Sequence, residues 1–173
     1  MNFVDTHFAA AYEVVKHAHA TDVRADGRTP YISHVTDVAA RVRPQVLSAH
    51  DLPLLMAALG HDVKEDHPNF PLRDRWLEAG IPVEFVDEAI ATIDLLTNTF
   101  DSYLDYILSL KYPTANVPPT RHARALRIKE ADMRSNWADL VNIPNVGQNK
   151  GRRDRHQLKI SMAYYILFDK KII

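Results

Sequence analysis

The chain has 173 residues, a formal charge of -1 and no cysteine. Near-neutrality excludes a dedicated polyanion binder acting through a long-range field, although local cation clusters can still hold phosphate. The missing thiols exclude disulfide scaffolds, thiolate metal sites and cysteine nucleophiles, so any transition metal must be held by histidine and carboxylate. The length suits one domain, read here as residues 1–173. The 46% apolar and 25% charged content is ordinary for a globular protein. No apolar run approaches about 18 residues, and no cationic segment followed by an apolar stretch opens the chain. These features point to a cytoplasmic protein with neither membrane nor nucleic acid as partner.

Five glycines among many Ala and Leu residues favour an all-α fold. Apolar residues three and four apart predict an amphipathic helix over 6–20. The polar stretch 21–29, containing Gly27, reads as a loop. Pro30 suits the first turn of a helix running to about Val42. Asp51 is placed to cap a helix over LPLLMAALGHDVKED, which stops before His67 and Pro68. A short helix near 71–79 ends at Gly80, another covers about 82–96, and a further one begins after Asp101. Three prolines make 112–120 a loop. Residues 121–140 form a long helix, 142–151 a loop, and 152–170 a closing helix.

Nine histidines raise the question of whether any stand where chemistry needs them. In ALGHDVKEDHP, His61 and Asp62 are neighbours pointing about 100° apart on a helix, each with a carboxylate four residues on, Glu65 and Asp66. Two helical neighbours reach one metal if the helix end faces a cavity, and the following acids then address water or substrate. A polar helix end produces the same dipeptide without any function. Here, however, the apolar run Leu52 to Leu59 places the pair at a core boundary. PYISH puts His34 beside the core face Val35, Val38 and Ala39. Asp132 interrupts the packing positions Ile128, Ala131 and Trp137, so it must be paired, hydrogen-bonded or ligating. Asn136 lies one turn further on.

The order His34, His61–Asp62, Asp132 resembles that of the HD-domain phosphohydrolases. PYISH, HDVKED and KEADMRSN resemble blocks of the hydrolase domain of the RelA/SpoT enzymes and of the stand-alone small alarmone hydrolases, over about residues 6–170. The resemblance implies a single-domain helical HD fold. It implies one divalent cation, commonly Mn2+, held by His34, His61, Asp62 and Asp132, with Glu65 and Asp66 as the catalytic pair. Asn136 would contact the nucleotide or hold the ligand shell, and Arg24 (with Arg28 as competitor) and Arg152 would bind phosphate. Where the family has an aromatic after the last arginine, this chain has His156. The implied activity is removal of pyrophosphate from the 3′ side of a (p)ppGpp-type nucleotide. FDSYLDYI departs from the alarmone hydrolases and resembles a group of small HD phosphohydrolases, which keeps other nucleotides or phosphate esters open. Tyr103 and Tyr106 share a helix face, either as core or as a stacking platform for a base. The remaining alternatives are a non-catalytic helical regulatory module and a di-iron HD oxygenase drawing on His17, His19 and His122.

Overall fold

The run LPLLMAALG is apolar on every face and can be hidden only if other helices surround it. It forms α3 (Leu52–Gly60), and every residue in it is buried. The structure, a computed structural model, describes residues 2–45, 48–142 and 147–172, with the side chains of 142, 147–150 and 152 excepted. Around α3 stand α1 (Phe3–Ala18), α2 (Ile32–Val42), α6 (Val83–Leu96) and α8 (Pro119–Asp139), each in contact with it. A single turn, α4 (Val63–Asp66), follows α3, and α5 (Leu72–Glu78) packs on α1 and α6. Then α7 (Tyr103–Lys111) and α9 (Gly147–Phe168) pack on each other and on α8. Among the described residues there is no strand. The fold is all-α, with one bridge between Val23 and Pro30 closing the 22–31 loop.

The apolar side chains fall into two clusters. The larger gathers α1 to α6 with Ala125, Ile128 and Ala131 of α8. The smaller joins Tyr106, Ile107 and Leu110 of α7 to Ile160, Ala163, Tyr164 and Leu167 of α9, with Met133 of α8. Thus α8 belongs to both.

The predicted helices exist, with shifted ends. The first begins at Phe3 because Asn2 caps it, its Oδ1 accepting the Asp5 amide at 2.9 Å. Pro30 lies outside α2, paired with Val23 in the bridge. Asp51 makes no side-chain cap for α3; its Oδ2 instead accepts the Ser48 N–H and hydroxyl at 2.9 and 2.8 Å. Pro119 is the first residue of α8, as suits a residue with no N–H to lose. Helix is already present from Gly147, and 143–146 lie outside the described residues. No described helix is long and apolar enough to cross a membrane.

Gly60 closes α3 where no side chain fits comfortably. A Cβ there would stand 3.0 Å from Trp76 Cη2, 3.1 Å from Ile93 Cδ1 and 3.2 Å from Leu72 Cδ2. Alanine would offset this crowding with about 1 kcal/mol of helix propensity; a branched side chain would not. Gly60→Val is expected to cost about 1–3 kcal/mol through overpacking. Thermal denaturation should show a Tm lower by about 2–12 °C.

Candidate metal centre

The expected helix over 52–66 is broken at its chemically important point. After Gly60 the chain passes through a turn at His61 and Asp62, and the first backbone bonds of α4 return to the Asp62 carbonyl from Glu65 at 3.1 Å and Asp66 at 2.9 Å. The turn brings both His61 and Asp62 against His34 of α2 and Asp132 of α8. The Nε2 of His61 lies 3.1 Å from Asp62 Oδ2 and 3.7 Å from Asp132 Oδ1. The Nε2 of His34 lies 3.5 and 3.3 Å from the same two atoms. His34, His61 and Asp132 are 2%, 3% and 5% exposed, so the cluster lies at the boundary of the larger core.

The proton positions follow from the outer nitrogens. His61 Nδ1 is 2.9 Å from the Ala58 carbonyl, which can only accept, so Nδ1 carries a hydrogen. In the neutral ring Nε2 then holds a lone pair aimed at two carboxylates. Both Nε2 atoms, of His34 and His61, are buried without a hydrogen-bond partner. Such an arrangement demands positive charge at its centre. Without an ion, a proton supplies it: burial works against the imidazolium, but Asp62 and then Asp132 outweigh it and hold the His61 pKa up at about 10. With an ion, three of the four donor separations fit and the fourth, 3.7 Å, needs only a small contraction, because ligands about 2.0–2.2 Å from one first-row cation stand about 3–3.5 Å apart. The described residues therefore include a buried His/Asp group able to hold a divalent metal ion.

Outer contacts fix these ligands. The Tyr31 hydroxyl donates to Asp62 Oδ2 at 2.5 Å. Asn136 Nδ2 donates to Asp132 Oδ1 at 2.5 Å, and Lys129 Nζ to Asp132 Oδ2 at 3.0 Å. His34 Nδ1 meets the buried Ser135 hydroxyl at 3.0 Å. Such partners orient the ring and tune its basicity. Ser135→Ala is expected to weaken metal binding about 10–100-fold, measurable by competition with a chromophoric chelator, with little loss of fold because only one hydroxyl is removed.

Asp62 and Asp132 lie on a cavity of about 540 Å³, which Glu65 and Asp66 also line. Although both of these acids reach solvent, partial loss of hydration raises their pKa values. The nearby Asp62 adds to the rise in each, while the Asn98 N–H, 2.5 Å from Glu65 Oε1, opposes it there. Cations stand along the same cavity. Arg24 projects from the 22–31 loop, its Nη2 donating to Asn136 Oδ1 at 2.7 Å and its Nε to Asp139 Oδ2 at 2.8 Å. Lys129 and Lys159 line the wall with it. Burial and then repulsion from Lys129 push the Lys159 pKa down, a strain that an anion in the cavity would relieve.

The structure thus gathers Asp62, Asp132, Glu65, Asp66, Asn136 and Arg24 around one space, with His34 and His61 buried against Asp62 and Asp132 behind it. Arg28 does not line it, and the side chain of Arg152 lies outside the described residues. His156 lines the wall. Tyr106 is a core residue at 2% exposure, and Lys159 Nζ sits 4.0 Å from the Tyr103 ring centroid, so that ring already carries a partner. His122 binds the Leu110 carbonyl at 2.6 Å and His17 stands near Phe70, so neither joins a cluster with His34 and His61. Sequence reading missed Tyr31, Ser135, Lys129 and Lys159. Lys129 was legible in principle, three residues before Asp132 and hence on its helix face. Comparison with known protein families and with curated proteins finds no match to this chain.

Proposed function

We propose that the chain is a metal-dependent phosphohydrolase of the HD type acting on a nucleotide, with a (p)ppGpp-type 3′-diphosphate as the leading substrate. The observation that carries this reading is the pair of unpartnered, buried Nε2 atoms facing two carboxylates, Asp62 and Asp132, that line a cavity shared with Arg24, Lys129 and Lys159. His34, His61, Asp62 and Asp132 would hold the ion, and two imidazoles with two carboxylates suit Mn2+. When bound, such an ion supplies Lewis acidity, which makes water more acidic and neutralises charge at phosphorus.

The rest of the chemistry belongs to the side chains. Glu65 and Asp66, with pKa values raised towards neutrality, are better proton acceptors than ordinary carboxylates and orient or deprotonate the attacking water. Lys129, Lys159 and Arg24 balance the negative charge of phosphate groups. Asn136 locks Arg24 to Asp132, which couples the phosphate wall to the ligand set. A cavity of about 540 Å³ falls in the range used by small-molecule ligands. The alarmone substrate rests on the sequence blocks PYISH, HDVKED and KEADMRSN.

The test is a Mn2+-supplemented assay over ppGpp, ppApp and nucleoside mono- and triphosphates, with products resolved by mass. The expected result is GDP and pyrophosphate from ppGpp, abolished by Asp62→Ala. Phosphate released from another substrate would retain the enzyme and discard the alarmone. No turnover of any substrate by protein that carries metal lost on Asp132→Ala substitution would discard the enzyme.

A further inference from the structure

Outside this centre, a second set of metal-ligating side chains comes together on the other side of Tyr31. We propose that His19, Asp22 and His67, converging from the end of α1, the turn after it and the end of α4, hold a second divalent transition-metal ion. Their ligand atoms lie within 4.8 Å of one another. His19 Nδ1 is 2.8 Å and His67 Nε2 2.5 Å from the same oxygen, Asp22 Oδ2.

Three observations favour a built site over chance proximity. The backbone is fixed at each ligand. The Asp22 N–H donates to the His19 carbonyl at 3.2 Å, the Asp22 carbonyl accepts the Tyr31 N–H at 2.9 Å, and the His67 N–H donates to the Val63 carbonyl at 2.8 Å. The His19 ring is clamped by stacking on Tyr31, with centroids 4.7 Å apart and planes at 29°. That ring is also 2% exposed, with its Nδ1 on Asp22 and its Nε2 buried without a partner. Leaving a buried polar atom unsatisfied costs about 1–3 kcal/mol.

The donor set selects the ion class. Two imidazoles and one carboxylate suit Zn2+ and its first-row neighbours, whereas Mg2+ and Ca2+ prefer oxygen throughout. Asp22 and His67 are each 29% exposed at the side chain, and they border an open cavity of about 440 Å³ that leaves room for water or a further ligand. Asp66 lines that cavity and the larger one. An ion held by His19, Asp22 and His67 would therefore set positive charge beside Asp66.

The site is independent of any catalytic role, and binding stoichiometry tests it. Chelator-stripped protein is titrated with Zn2+ and desalted, and bound metal is counted by mass spectrometry with circular dichroism as a fold control. The expected counts are two tightly held equivalents in the wild type and in the surface control His50→Ala, and one each in His67→Ala and Asp132→Ala. His67→Gln provides the same test with a side chain closer in size should the alanine variant unfold. Equal uptake by wild type and a folded His67 variant overturns the proposal. A wild type holding one equivalent, lost in His67→Ala but kept in Asp132→Ala, supports this site and removes the metal from the centre of the proposed function.

Discussion

Asp132→Ala is expected to lose its metal from the His34–His61 centre and to cut metal-dependent turnover by more than about a hundredfold. Removing a residue that merely orients a ligand already costs about 10–100-fold, and Asp132 meets both imidazole Nε2 atoms directly. The same substitution also strands a cation. Asp132 Oδ2 holds Lys129, whose side chain is only 15% exposed, and breaking a buried pair costs about 3–5 kcal/mol. Asp132→Asn separates the two effects by preserving volume while removing charge. Both variants should fail to retain the metal, and the asparagine variant should melt closer to wild type. A folded Asp132→Asn that holds as many equivalents of metal as the wild type would remove this residue from the ligand set.

The second large effect is on pH dependence. In chelated protein, stability should fall as pH rises from about 6.5 towards 10, because the folded His61 pKa of about 10 lies above its ordinary 6.5. A raised pKa means that the folded state binds the proton more tightly, so the contribution is complete below 6.5 and disappears through 10. Asp62 and Asp132 act in the opposite sense. Burial disfavours their charge, but His61 for Asp62 and Lys129 for Asp132 hold both well below 3.8. Their contribution is complete above 3.8 and is lost as the pH falls through the depressed folded values. The chelated protein should therefore be most stable between about pH 4 and 6.5. A divalent ion replaces the proton, so the alkaline decline should flatten in its presence, and affinity should grow with pH because protons no longer compete. Melting curves at stepped pH, with EDTA and then with metal, check this. An EDTA curve whose alkaline slope matches that of His61→Gln would dissociate the effect from His61.

Much of the centre could be read without coordinates. An aspartate among packing positions of α8 had to be paired, hydrogen-bonded or ligating, and Asp132 is paired with Lys129 and hydrogen-bonded by Asn136. The buried α3 was equally legible, since nine consecutive apolar or small residues leave no solvent face. The interruption at His61–Asp62 was not, because ALGHDVKED carries no proline or glycine after Gly60 to mark it and helix propensity runs through it. The turn is a tertiary outcome in which two neighbouring side chains both face α2 and α8. The His19–Asp22–His67 group escaped for a related reason. Asp22 and His67 are 45 residues apart, and 21–29 reads simply as polar loop until the Val23–Pro30 bridge folds it against α4.

The cavity lies where the two apolar clusters meet, and this divides labour within the molecule. The four proposed ligands stand on α2, the α3–α4 junction and α8, anchored chiefly in the larger cluster. His156, Lys159 and Ile160 face them from α9, which is rooted in the smaller one. Changes on α9 or α7 can therefore reshape what the cleft accepts while leaving the ligand scaffold undisturbed. New specificity is accessible to such a protein by drift in one half while the other stays under constraint.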